Sequence, residues 1–181
     1  MYKQVMKHED PAAIGGSSVV VGESSLLVGQ KGVFTLRDLE AGEVAFRVIG
    51  PISANRTQYS FQFDAHSHIE PQGSNGDPPY GRYLNHSCSP NCFARVIPHL
   101  GWIDIVTRSA IAERTELTVD YAAMELDTVS SELCRCGTAR CRVRIAGFRQ
   151  LSVELQQAYL AEGIIPAYLQ DAAGMSVKPR R

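Results

Sequence analysis

The chain has 181 residues, 44% of them hydrophobic, and its 18 lysines and arginines almost balance 19 acidic residues, for a formal net charge of −1. At roughly 150 residues per domain this predicts one globular domain with a short appendage, large enough to bury a core without disulfide staples. Near-neutrality excludes a dedicated nucleic-acid binder with a strongly basic face, and no run approaches the roughly 18 apolar residues of a membrane span.

In chain order, residues 1–13 are polar and patternless and read as a flexible N-terminal arm. Their "MYKQVMKHED" lacks the apolar core of a secretory signal, so the protein is expected to be intracellular, with nucleus and cytoplasm both open. From Ser17 to Gln30, "SSVVVG" and "SSLLVG" predict strands joined by turns. In "KGVFTLRDLEAGEV", Gly32 permits an unusual backbone angle or a close approach by a ligand, and "EAGE" is a turn before the strand "VAFRVIG". "YSFQFD", residues 59–64, alternates with period two and predicts a half-buried strand. Pro71, Gly73, Asn75, Gly76, Pro78 and Pro79 make residues 67–80 a long loop. "GWIDIVTRSAI" and "ELTVDY" are further strands, so the fold class is mostly β, a β-rich α+β chain. Leu151, Leu155 and Tyr159 recur every fourth residue and predict a helix around 149–161, stopped by Gly163 and Pro166. The tail "AAGMSVKPRR" reads as disordered.

Disulfides are rare inside cells. Three of the five cysteines, Cys134, Cys136 and Cys141, form "CRCGTARC", a C-x-C-x4-C pattern folded back at Gly137. Three thiolates at that spacing can wrap one small cation, and structural zinc completes a tetrahedron with a fourth ligand. Cys88 is the best candidate for it, with His86 and Cys92 behind; surface thiols without metal are the alternative. A zinc shared by Cys88 and the trio would staple residues 125–147 onto the "NHSC" loop. The basic stretch of Arg135, Arg140, Arg142, Arg144 and Arg149 reads as a solvated surface of that loop rather than a steering patch for an acidic partner or nucleosomal DNA.

"GRYLNHSCSPNC", residues 81–92, allows three readings. Cys88 and His86 could form a thiolate–imidazole pair, although residues two apart on an extended segment point to opposite faces. "SPN" is turn chemistry and accounts for Asn91. The third reading is a resemblance. "RYLNHSCSPNC" followed thirty residues later by "ELTVDY" resembles the core of SET-domain protein lysine methyltransferases. "QKGVFTLRDLEAGEV" is similar to that family's glycine-containing cofactor motif, and "CRCGTARCR" to its post-SET zinc segment.

The resemblance implies a SET-domain fold of small β-sheets over residues 14–124, with the "NHSC" loop and the tyrosine segment interlocked in a pseudoknot. A post-SET zinc segment over 130–147 and a C-terminal helix with tail over 148–181 would follow. It implies S-adenosylmethionine as methyl donor, contacted by Lys31, Gly32, Val33, Phe34, Arg82, Asn85 and His86, with Tyr121 as catalytic tyrosine. One structural zinc would be held by Cys88, Cys134, Cys136 and Cys141. Tyr59, Phe61, Phe93 and Val119 are the matching candidates for a substrate channel, with core packing as the other reading of Tyr59 and Phe61. The implied partner is a protein with a target lysine, a histone tail or another protein; nucleic acid enters only if the substrate is nucleosomal, and the oligomeric state is open. The alternative, from a different functional class, is a non-catalytic zinc-stabilised SET module that binds a peptide or protein. The cofactor motif has its earlier glycine at Gly29, one place off the family's usual G-x-G, and two further departures stand out: "CRV" replaces the family's "CRG", and Val119 and Ala94 occupy places where many relatives carry an aromatic residue. The last implies a roomier site that allows di- or trimethylation.

Overall fold

The computed structural model describes residues 18–74, 76–128, 132–172 and 174. The expectations for the N-terminal arm, and for the tail beyond Ala172 apart from Gly174, lie outside the described residues. In chain order the strands are β1 (Val19–Glu23), β2 (Lys31–Thr35), β3 (Val44–Val48), β4 (Ile52–Ser53), β5 (Phe61–Gln62), β6 (His68–Ile69), β7 (Asn85–His86), β8 (Cys92–Ile97), β9 (Trp102–Thr107) and β10 (Glu116–Val119). Helices α1 (Val153–Glu162) and α2 (Ala167–Ala172) follow.

The strands form three small sheets, ordered β1-β2-β10-β7, β3-β9-β8 and β4-β6-β5. In the first, β10 runs antiparallel to β2 and parallel to β7, pairing Thr118 with Asn85 and Val119 with His86. One main core fills the space between the sheets, with Val33, Phe46, Ile69, Ile103, Ile105 and Leu117 among its members. A second cluster, built from Ala122, Ala123, Phe148, Leu151, Tyr159, Ile164, Ile165 and Leu169, packs the C-terminal helices onto the turn after β10. Among the described residues no helix is long and apolar enough to cross a membrane.

Several elements differ from the sequence expectation, each for a local reason. "SSLLVG" is a turn, not a strand. The Ser24 hydroxyl accepts from the amides of Leu26 and Leu27 at 3.1 and 3.0 Å, competing with strand pairing, and Gly29 takes φ +77°. "YSFQFD" pairs only at Phe61–Gln62 and does not alternate in burial, because the polar Gln62 is buried too. The Gln62 amide donates to Glu125 Oε1 at 3.0 Å, and its side-chain oxygen accepts from Leu126 at 2.8 Å, so the backbone and side chain of Gln62 both bond to the segment after Tyr121. The 67–80 loop contains β6, which joins β4 to β5. β8 was not anticipated as a strand, though Cys92 and Ala94 are buried while Phe93 and Arg95 between and after them are more exposed, the alternation of a pleat.

The predicted C-terminal helix starts later, at Val153. Residues Phe148–Gln150 form a separate 3-10 turn, and the Ser152 hydroxyl caps the helix by accepting from Leu155 at 3.3 Å. Its end is as expected, with Gly163 in the left-handed region at φ +68°. Pro166, read as part of the helix stop, also opens α2, which was not anticipated: its carbonyl accepts from Leu169 and Gln170 at 3.1 and 3.3 Å.

Candidate functional site

The first sheet brings three distant sequence motifs side by side. β2 carries Lys31–Phe34, β10 leads to Tyr121, and β7 is Asn85–His86 itself. Asn85 is buried, and its amide nitrogen donates to Lys31 O at 2.9 Å and to Glu116 Oε1 at 2.8 Å. Gly32 is needed for close approach rather than for an unusual backbone angle. A Cβ there would fall 2.4 Å from Glu116 Oε1, so the crowding comes from within the protein.

β10 ends at Asp120, which caps the 3-10 turn Tyr121–Ala123 by accepting from the Ala122 amide at 3.0 Å. The Tyr121 hydroxyl donates to Leu84 O at 3.0 Å, next in chain to Asn85. Burial, with the Glu132 and Glu125 carboxylates nearby, pushes its pKa up to about 12, so Tyr121 stays neutral. Glu125 is also pushed up, to about 7, by burial that outweighs its bonds from the Gln62 amide and Arg56.

The Asp120 side chain, fully buried, is a junction. Arg142 binds it with two bonds of 2.7 Å, and Tyr159 of α1 donates to its Oδ2 at 2.7 Å. Arg142 therefore serves a buried link, not a solvated surface as the basic stretch suggested. His86 Nδ1 accepts from the Tyr121 amide at 3.3 Å, and its Nε2 lies 3.4 Å from Cys88 Sγ. Nδ1 also lies 3.5 Å from Asp120 Oδ1, and burial, outweighing that carboxylate, pushes the His86 pKa down to about 4, leaving a neutral ring at pH 7. The expectation that His86 and Cys88 face apart is corrected: the chain bends at Cys88 and the two touch.

Cys88 also meets the later trio. The ligand atoms of Cys88, Cys134, Cys136 and Cys141 all lie within 4.8 Å of one another, with Cys88 and Cys134 sulfurs 3.7 Å apart. A zinc tetrahedron with Zn–S bonds of about 2.3 Å has an edge of roughly 3.8 Å, so the four thiols fit that ion. The Arg142 amide donates to Cys88 Sγ and the Val143 amide to Cys141 Sγ, each at 3.4 Å, as outer partners of thiolate ligands do. Cys92 stands apart, 1% exposed in the main core, with its thiol pushed up to about 12 by burial.

A profile described as SET domain matches residues 30–122. The chain belongs to the SET domain family. Human histone-lysine N-methyltransferase 2B is 30% identical over 142 residues, covering 70% of this chain and 5% of that protein. The H3 lysine-4 specific histone-lysine N-methyltransferase of Chaetomium globosum is 34% identical over 111 residues, 56% of this chain and 10% of that protein. The chain thus spans a tenth or less of these curated relatives. Among solved structures, KRYPTONITE in complex with mCHG DNA and SAH superposes with TM-score 0.57 at 26% identity, covering 72% of this chain and 29% of that one. A second KRYPTONITE complex, with mCHH DNA, an H3(1-15) peptide and SAH, gives TM-score 0.54 at 26% identity over 70% of this chain and 29% of that one.

Within the SET domain, the expected site residues divide into those that converge and those that do not. Lys31, Gly32, Val33, Phe34, Asn85, His86 and Tyr121 meet on or at the end of one sheet. The Lys31 side chain turns outward to Glu23, and only its carbonyl faces Asn85. Arg82 lies at the surface with its guanidinium 4.2 Å from the Tyr59 ring centre, stacked on that ring rather than joined to Asn85 or His86. Phe61 and Val119 belong to the main core, against which Tyr121 packs, while Phe93 packs on the second cluster and Tyr59 is exposed. Glu116, Asp120 and Tyr159 were missed. Asp120 and Glu116 stand in the quoted "ELTVDY", a signal that was there to be used; Tyr159 was legible only as part of an apolar stripe.

Proposed function

We propose that this chain is an S-adenosylmethionine-dependent protein-lysine N-methyltransferase, acting on a histone tail or another protein. The convergence of Lys31–Phe34, Asn85–His86 and Tyr121 on one sheet carries the reading. The names of the relatives and the SAH held by the solved neighbours support it. The H3 peptide in one neighbour supports a peptide substrate, and an intracellular place of action, nuclear for a histone substrate, goes with it. On this reading residues 14–124 form the catalytic core and 130–147 a post-SET zinc segment.

The fit to the donor rests on Asn85. Its amide nitrogen is held by Lys31 O and Glu116, and no described residue donates to its carbonyl oxygen, which remains an acceptor for an amino group. S-adenosylmethionine supplies an activated methyl on a sulfonium, so the protein's main task is placement. The target lysine must also be neutral; with a free pKa of about 10.4, deprotonation at pH 7 costs roughly 4.6 kcal/mol. Burial among apolar walls lowers that cost. Tyr121 is not the base: its pKa of about 12 keeps it protonated, and the bond to Leu84 O fixes where its oxygen sits. Its role is to line up amine and methyl. The four thiols, loaded with zinc, hold the C-terminal segment against the loop after Asn85–His86.

The test is transfer of labelled methyl from S-adenosylmethionine to a histone peptide array and to cell lysate. Wild type is expected to label a lysine, and Tyr121→Phe to label at least about 100-fold more slowly, as for loss of a positioning group in the transition state. With Val119 and Ala94 both buried small residues, the product read by mass spectrometry is expected to carry two or three methyls. Tight SAH binding with no transfer to any protein would favour the non-catalytic module instead.

A further inference from the structure

Glu116 is 7% exposed, and its carboxylate accepts four hydrogen bonds, all from neutral groups. Oε1 takes the Ser24 hydroxyl at 2.9 Å and the Asn85 amide nitrogen at 2.8 Å; Oε2 takes the Ser25 amide at 2.7 Å and the Ser25 hydroxyl at 2.6 Å. Among the described residues no lysine, arginine or histidine pairs with it. A buried carboxylate ordinarily has a cation beside it. Here hydrogen bonds from Ser25, Asn85 and Ser24 hold the carboxyl below its usual range despite burial, so the negative charge is present at neutral pH.

The surroundings are arranged around that charge. Residue 32 is a glycine, and any Cβ there would strike the carboxylate. The turn Ser24–Gln30 delivers three donors to it. The Asn85 amide nitrogen faces Glu116 Oε1 and Lys31 O and, at 3.3 Å, the Ser24 hydroxyl oxygen; the first two can only accept, so only the NH2 end of Asn85 can satisfy both. Its carbonyl oxygen must therefore point the other way.

We propose that Glu116 is a positioning residue for the methyl donor: it fixes the Asn85 amide with its oxygen outward to receive the donor's ammonium group, and supplies the negative charge that balances that ammonium. The role rests on the methyltransferase reading above. It gives Glu116 a task in cofactor affinity rather than in methyl transfer itself.

The experiment measures binding of SAH, and of SAH lacking its amino group, to the zinc-loaded full chain by calorimetry, beside kcat and KM for S-adenosylmethionine. Glu116→Gln is expected to weaken SAH at least 10-fold, to leave the deaminated analogue within twofold of wild type, and to raise KM while kcat stays within about threefold. Glu116→Asp, which keeps the charge, should fall between the two and serves if the glutamine variant does not fold. Equal SAH affinity in wild type and Glu116→Gln would overturn the proposal, as would equal weakening of SAH and the deaminated analogue. Failure of wild type to bind SAH at all would overturn the methyltransferase reading and this role with it; SAH binding without transfer would leave the role of Glu116 standing and remove only the catalytic reading.

Discussion

Val143 sits at φ +70°, in the left-handed region, and is 62% exposed. A β-branched side chain there is strained, and an ordinary residue already pays about 1–2 kcal/mol for it. Its backbone is held in place all the same: its amide donates to Cys141 Sγ and its carbonyl accepts from the Cys134 amide at 2.7 Å. The cysteine turn dictates the angle, and the residue type opposes it. This is where "CRV" departs from the "CRG" that the family resemblance implies, and the positive φ is one that glycine adopts without strain. Val143→Gly should stabilise the protein by roughly 1 kcal/mol after the glycine's own entropy cost is subtracted. Thermal unfolding of the zinc-loaded protein would then shift upward by about 2–4 °C; a lower melting temperature would show that the valine side chain contributes packing that outweighs the strain. The departure was visible in the sequence, but its meaning was not, because a positive φ is a property of the folded turn.

At the scale of elements, α1 does more than cover a core face. Tyr159 reaches from it to Asp120, one residue before Tyr121, and the same carboxylate receives Arg142 from the cysteine segment. α2 adds a second tie: the Tyr168 hydroxyl lies 2.9 Å from Gln62 O and 2.7 Å from Met124 O, bridging β5 and the turn after Tyr121. Tyr159→Phe leaves the ring packed but removes one bond to a buried carboxylate, at a cost of about 1–2 kcal/mol. We expect kcat to fall severalfold, with SAH affinity and zinc content unchanged, since neither β2 nor the thiols are touched. Steady-state kinetics with saturating cofactor would check this; a lowered melting temperature with unchanged kcat would limit α1 to packing. The helix was readable from Leu151, Leu155, Tyr159 and Gly163. That one member of its apolar stripe carries a hydroxyl to the site was not, because periodicity reports a face and not its polar partner.

For the whole molecule, the thiol cluster is the long-range clasp. It joins the loop after β7 to the cysteine segment, which in turn delivers Arg142 to Asp120. Structural zinc in small sites contributes on the order of 10 kcal/mol to ordering its ligands. Metal analysis should find one zinc per chain, and a strong chelator should expose residues 132–147 to protease and abolish methyl transfer, with recovery on adding zinc. Retained activity and protease resistance in metal-free protein would contradict a structural role.

The sequence by itself determined the β-rich class, the motif order and the Cys134, Cys136 and Cys141 trio, because turn residues, β-branched runs and close cysteine spacing are local and chemically specific; Cys88 as the fourth thiol, a candidate beside His86 and Cys92 on the residues alone, came from the resemblance. Tertiary structure alone decided the rest: that β10 lies between the strands of the other two motifs, that Gly32 makes room for Glu116, that Cys88 bends to meet His86, and that Asp120 collects Arg142 and Tyr159. Asn85 and Glu116 are 31 positions apart, and Tyr159 and Asp120 39 apart. Pairings at such separations are selected by the packing of sheets and helices, which brings together donors and acceptors whose local patterns carry no record of each other.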